Sequence, residues 1–167
     1  MIVSQLTAQD FSTLAAKAAA ATEPFEVYRA VEHVLAGPLG FGLLTMLVVT
    51  PDAGEVERVY SSNCQAYPLA GRKRMGPTPW GDLVMRQRLP FLGRDAESIR
   101  WAFSDHALIA SLGLASAINV PVVAFGQLLG TINVLDAAGR YDEQGVQTLQ
   151  SVTPLLVASF LRELQIY

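Results

Sequence analysis

Residues Ala115–Phe125 read ASAINVPVVAF and residues Leu128–Leu135 read LLGTINVL, and this pair decides the fold. Both are rich in β-branched and apolar residues, and Gly126-Gln127 between them supplies the turn chemistry of a β-hairpin. Pro121 removes one ladder donor, so an edge position or a bulge is expected beside it. Each strand also carries one amide, Asn119 and Asn133. With a two-residue turn they lie on opposite faces of the hairpin; with three residues they share one. The sequence leaves both open, but a buried amide must find a hydrogen bond or a ligand.

Downstream, Asp142 to about Gln165 has the period of a helix, with Val146, Leu149, Val152, Leu156, Phe160 and Leu164 on its apolar side. Upstream, Phe41–Thr50 (FGLLTMLVVT) is apolar on both alternating faces, as a central strand covered on each side requires. Pro51-Asp52-Ala53-Gly54 is a turn, and Glu55–Ser62 returns as a second strand. Two helices precede this hairpin. The first spans about Thr7 to Ala21, with Leu6, Phe11, Leu14 and Ala18 as its stripe. The second starts from an N-cap at Thr22, with Pro24 in its first turn, and is ended by Gly37-Pro38. Its Val27, Tyr28, Val31, Val34 and Leu35 are apolar, while Glu26, Arg29 and His33 fall opposite.

Between the hairpins, Asn63–Ser104 is irregular and holds both tryptophans. Thr78-Pro79 can open a short helix running to about Arg88, and Ser104-Asp105 can cap another that ends at Gly113. The order α-α-β-β, insert, β-β-α predicts an α+β fold: an antiparallel sheet with the terminal helices on one face and the insert on the other.

These residues carry a resemblance. Ala117-Ile118-Asn119-Val120-Pro121-Val122, Leu129-Gly130-Thr131-Ile132-Asn133-Val134 and the helix start Tyr141-Asp142-Glu143 resemble the C-terminal half of a GAF domain. Phe25–Leu35 leading into Phe41–Thr50 resembles the N-terminal half. The resemblance covers about residues 20–163 of the 167, so a single domain is expected. It implies a GAF-like (profilin- or PAS-like) antiparallel sheet of five or six strands, terminal helices that often pair across a dimer, and a small-molecule pocket on the other face. It does not name the ligand, because the matching residues build the hairpin and the helix start. Relatives that attach a tetrapyrrole do so through a cysteine near the short helix that here reads Ser104-Asp105-His106-Ala107-Leu108, without a thiol. Covalent tetrapyrrole is therefore not expected, and the cofactor is left open. Relatives that reduce free methionine sulfoxide need more than one cysteine, and this chain has only Cys64. Of the Asn-Lys-Phe-Asp-Glu signature of cyclic-nucleotide members, only Tyr141-Asp142-Glu143 stands here, which reads as a helix N-terminus.

Composition sets further bounds. Hydrophobic residues make up 51% and charged residues 16%, an apolar balance suggesting a second surface to cover, such as a subunit contact. A net charge of −3 argues against duplex nucleic acid, which draws on clustered cations. A single cysteine excludes an internal disulfide and a multi-cysteine zinc site, and fits a reducing compartment. Met1-Ile2-Val3 runs straight into polar residues with no basic leader, and no apolar run approaches the roughly 18 residues of a membrane span. The expectation is a cytoplasmic protein with no membrane or nucleic-acid partner. No kinase, cyclase or helix-turn-helix segment is present, so any output is expected to pass through a partner or through dimer geometry.

Candidate ligand-binding residues follow from residue chemistry. Asp105-His106 pairs a carboxylate with an imidazole, a combination suited to acid-base work or ligand contact; the simpler reading is a helix first turn with His106 in solvent. Tyr67, Trp80 and Trp101 offer rings for planar ligands or ordinary packing beneath the insert, and Tyr60 joins them from the second strand. Arg72-Lys73-Arg74, Arg86 and above all Arg88 suit an anion, although a solvated loop also explains the triplet. Cys64 is a nucleophile only if a neighbour lowers its pKa. His33 reads as part of a solvated helix face, since two histidines are too few for a metal site. Asn119 and Asn133 complete the set. The expected function is a small-molecule-binding regulatory domain, non-catalytic, acting as a homodimer through its first and last helices. A ligand-free interaction module is the alternative, and an enzyme using Cys64 or Asp105/His106 comes last.

Overall fold

The computed structural model describes residues 5–50, 54–74 and 76–165. The expected turn at Pro51-Asp52-Ala53 and the leader reading of Met1-Ile2-Val3 lie outside these. Helices α1 (Ala8–Ala20) and α2 (Pro24–Ala36) lead into β1 (Leu43–Val49) and β2 (Glu55–Ser61). The insert contains β3 (Arg72–Arg74), a π-helical segment (Gly81–Arg86), β4 (Phe91–Gly93), α3 (Ala96–Ala102) and α4 (His106–Ser111). Strands β5 (Ser116–Ala124) and β6 (Gln127–Asp136) and the long α5 (Glu143–Glu163) complete the chain. The six strands pair antiparallel in the order β3-β2-β1-β6-β5-β4.

One sheet face carries Leu44, Met46, Val48, Ile118, Val120, Ile132 and Val134, and it buries the apolar stripes of α1, α2 and α5. Helix α5 supplies Leu149, Val152, Leu156 and Phe160, all fully buried; removing such side chains from water stabilises by roughly 1.5–3 kcal/mol each. The opposite face carries Leu43, Val56, Ala117 and Leu135, against which the insert packs Tyr67, Val84, Met85, Phe91, Ile99 and Ile109. The predicted two-sided sheet is therefore present.

Several local expectations are corrected. The N-cap of α2 is Glu23, not Thr22; the Glu26 carboxylate accepts the backbone N–H groups of both residues and so gathers the entry turn itself. Gly37 keeps a right-handed backbone (φ −77°), and the left-handed residue after the helix is Gly40 (φ 68°). The hairpin turn is Phe125-Gly126, one residue earlier than read, both at positive φ (50° and 73°), with Ala124 opposite Gln127. Those angles suit the right-handed twist of the strands, so Phe125 accepts an unfavourable conformation for a non-glycine residue. Pro121 lies just past the last β5 residue that β4 pairs, and one residue before a bulge at Val122/Val123, as its missing donor requires. The insert is more regular than expected. The sequence reading missed β3, β4 and α3, although Asp95 caps α3 by accepting the Ser98 N–H at 2.8 Å. The helix expected from Thr78 continues through Pro79 and Trp80 and widens to π geometry, with the Gln87 N–H bonded to the Asp82 carbonyl at 2.9 Å.

Candidate functional site

The insert does not fill the space above the sheet. Side chains of modest size, Thr45, Asn119 and Asn133, stand at the centre of that face, between Leu43 and Leu135 on one side and Leu47 and Val56 on the other. A cavity of about 420 Å³ remains above them, walled by Tyr67, Trp80, Phe103, Asp105 and Ile109.

Its floor is a hydrogen-bonded row across three strands. Asn133 faces Thr45 on one side and Asn119 on the other. The Trp80 indole N–H donates to Asn119 Oδ1 at 2.9 Å, Asn119 Nδ2 to Asn133 Oδ1 at 2.7 Å, and Asn133 Nδ2 to Thr45 Oγ1 at 3.3 Å. An indole N–H can only donate, so Trp80 sets the amide orientation of Asn119 and thereby the polarity of the whole row. Each acceptor oxygen of the row is thus engaged. What it still offers inward are donors: the second Asn119 N–H and the Thr45 hydroxyl.

The walls are tied down by a second group. Tyr67 donates its hydroxyl to Asp105 Oδ2 at 2.7 Å, joining the loop after β2 to the start of α4. The Arg58 guanidinium lies 4.9 Å from the Tyr67 ring centroid and donates to the Pro68 carbonyl at 3.0 Å, while its buried Nε–H meets no acceptor. Burial pushes the Arg58 pKa down and that of Tyr67 up, the Asp105 carboxylate adding to the latter. Beside Arg58, Lys73 of β3 stands opposite Val56 and so shares the cavity face. Arg72 and Arg74 line the same opening, and Arg72 is also paired with Glu57 at 3.4 Å.

Of the ten candidate residues, Tyr67, Trp80, Asp105, Asn119 and Asn133 line the cavity, and Tyr60, Cys64, Arg88, Trp101 and His106 do not. A bulge in β2 removes Tyr60. Leu47 pairs with Arg58 and Met46 with Tyr60, so Val59 is extra and the alternation inverts. Tyr60 consequently packs with Phe25 and Tyr28 on the helical side and donates its hydroxyl to Glu32. Trp101 is half exposed and stacks on Phe91 at 5.6 Å, outside the cavity. Arg88 (φ 59°) is exposed and donates to the Gly126 carbonyl, tying the insert to the hairpin turn instead of holding a ligand. Arg86 pairs with Asp82 on the surface. His106 and Cys64 are exposed, and the Cys64 thiol faces the Ser61 carbonyl at 3.5 Å. Asp105 is the N-cap of α4 but gives its carboxylate to Tyr67 and none of it to the helix or to His106, so the expected cap bond is absent. His33 is exposed on α2, as read.

Sequence reasoning missed Arg58, Thr45 and Phe103. For Arg58 the signal was present: it alternates with Val56 in an otherwise half-apolar strand, which points it inward. Among the described residues no group of three or more potential metal-ligating side chains is found, and no helix is long and apolar enough to cross a membrane.

A six-stranded antiparallel sheet with helices on one face and a hollow insert on the other defines an α+β class with a cavity built against the sheet. More particularly, the fold is GAF-like. The chain is similar to the GAF domain of a phosphoenolpyruvate-protein phosphotransferase from Coxiella burnetii, with a TM-score of 0.75 at 15% identity over 95% of this chain and 96% of that one. It is similar to the phycoerythrobilin-bound GAF domain of a cyanobacterial phytochrome, TM-score 0.70 at 15% identity over 93% and 95%. It also resembles the free methionine-R-sulfoxide reductase of Neisseria meningitidis in complex with its substrate, TM-score 0.69 at 18% identity over 100% and 99%. No protein-family model and no curated protein sequence matches the chain.

Proposed function

We propose that this chain is a non-catalytic sensory domain that binds a small molecule between its sheet and its insert and passes the signal through a homodimer to a partner protein. The observation that carries the reading is the cavity of about 420 Å³, floored by a satisfied polar row and walled by aromatic rings. Cavities of this size and lining accept small organic ligands. Solved structures of the same fold include a phycoerythrobilin-bound domain and residues 122 to 287 of a methyl-accepting chemotaxis protein, which is consistent with a sensory role. Cys64 and His106, on which the enzyme reading relies, stand outside the cavity, so that reading has little support among the described residues.

Dimerisation through the first and last helices rests on Leu155, Val157 and Leu161 of α5, which pack against the core of their own chain and stay partly exposed. A cytoplasmic setting, in which Cys64 stays reduced, fits the same reading. The ligand-free interaction module is favoured by one feature: Leu89, Trp101, Leu108, Leu112, Val123 and Phe125 are exposed. A thermal-shift screen of a metabolite library, together with native mass spectrometry of the purified protein, separates the two. A bound adduct, or a compound that raises the melting temperature, supports the sensor; no adduct and no shift supports the module. Light scattering that returns a monomer mass removes the dimer.

A further inference from the structure

Resting on the reading of the cavity as a ligand site, we infer that its ligand is an anion: a carboxylate, sulfonate or phosphate carried on a compact apolar or aromatic body. Three independent features of the cavity point there.

The first is charge. Four cationic residues, Arg58, Arg72, Lys73 and Arg74, border the cavity against one carboxylate, Asp105. This is the reverse of the whole chain, whose net charge is −3. Arg72 is paired with Glu57 at 3.4 Å, and Arg74, like Arg72, alternates away from the cavity face; Asp105 accepts the neutral Tyr67 hydroxyl and keeps its charge. Alternation along β2 and β3 turns the side chains of Arg58 and Lys73 toward the cavity, two cations against the one carboxylate of Asp105.

The second is an unmet donor. Arg58 is held by the Pro68 carbonyl and the Tyr67 ring, neither of which is an anion, and its buried Nε–H has no partner. The Asp105 charge favours the Arg58 cation without bonding it, and a half-buried guanidinium so placed gains further from an anionic ligand through a charge-assisted bond. Gly71 pairs with Arg58 across the strands and leaves the room this requires, since a Cβ at Gly71 would lie 2.9 Å from Arg58 Nη1.

The third is the polarity of the floor. Because Trp80 can only donate, the row Asn119–Asn133–Thr45 spends its acceptors internally and turns donors inward. Thr78 behaves alike: its Oγ1 accepts the Gly81 N–H at 2.9 Å and keeps its own proton to give. Mouth and floor therefore both seek acceptors, whereas Trp80 and Phe103, with centroids 6.2 Å apart, flank the body between them. A cation is opposed by Arg58 and Lys73 and finds only the Asp105 carboxylate on its side.

The test uses two probes with one body, 8-anilinonaphthalene-1-sulfonate and the uncharged N-phenyl-1-naphthylamine. The chain has two tryptophans, so a Trp101→Phe background leaves Trp80 as the sole tryptophan donor. Energy transfer then reports a probe bound in its neighbourhood, and the response to the substitutions below assigns the sulfonate to the cavity. The sulfonate should bind about tenfold more tightly than the neutral probe at low salt, with the advantage shrinking as salt is raised. Lys73→Met, at an exposed strand, and Arg58→Met should each weaken the sulfonate severalfold and leave the neutral probe unchanged. Equal affinities, or a sulfonate indifferent to both substitutions, overturn the anion while the cavity reading survives. If neither probe receives energy from Trp80, the cavity reading itself fails.

Discussion

Asn119 and Asn133 face each other directly across β5 and β6, with Nδ2 of the first 2.7 Å from Oδ1 of the second. A two-residue turn alone would have placed them on opposite faces. The bulge at Val122/Val123 skips Leu129 on β6 and shifts the register by one, bringing both amides to the cavity side. One extra residue thus converts two isolated buried amides into a satisfied pair.

The pair depends on Trp80. In Trp80→Phe, Asn119 Oδ1 loses its donor while staying buried, and stability should fall by about 1–2 kcal/mol in urea unfolding. Because the row acts as a unit, a double-mutant cycle of Trp80→Phe with Asn119→Ala should show coupling of about 1 kcal/mol. Strict additivity would mean that the indole and the amide are not partners.

Gly130 admits no side chain. A Cβ there would overlap the Leu47 carbonyl oxygen and come 2.8 Å from the Phe160 ring, both on elements that cannot yield. Gly130→Ala should cost at least about 3 kcal/mol, or leave the chain insoluble. A melting temperature within a degree or two of wild type would contradict the β1–β6 register.

Gly71 predicts the opposite. Its Cβ would meet only the end of the Arg58 side chain, which can swing away at little expense. Gly71→Ala should therefore leave stability within about 0.5 kcal/mol of wild type and still weaken the sulfonate probe. Unchanged probe affinity would show that the position of Arg58 does not matter.

Alkaline pH supplies a test of burial. Burial is the leading cause that raises the pKa values of Tyr28, Tyr60, Tyr67 and Tyr141. Above about pH 10 the unfolded chain releases phenolic protons that the native chain retains, so stability falls as pH rises. The chain has five tyrosines, and Tyr167 lies outside the described residues. Absorbance at 295 nm should register about one tyrosinate or fewer at pH 11 while the fold persists. Ionisation of three or four without unfolding would contradict the packing.

The strand and helix pattern was legible because it is written in local periodicity. Alternation in Phe41–Thr50 and the stripe from Val146 to Phe160 each require a particular face to be covered, and the structure covers it. The short β3 and β4 were not legible. Three residues carry too little pattern, and these exist because a longer neighbour offers an unpaired edge. For the site, Tyr67, Trp80, Asp105, Asn119 and Asn133 line the cavity as expected, while Arg58 was overlooked and Tyr60, Cys64, Arg88, Trp101 and His106 lie elsewhere.

What the chain's own order of residues determined is the α+β layering, the absence of a second thiol, and the supply of short polar side chains at Thr45, Asn119 and Asn133. Only the tertiary structure decided which way those side chains face. Two bulges, at Val59 and Leu129, invert the alternation that sequence reading must assume, sending Tyr60 to the helices and both amides to the cavity. A bulge reflects how twisted strands fit together in three dimensions, and that fit involves residues tens of positions apart that no local window contains.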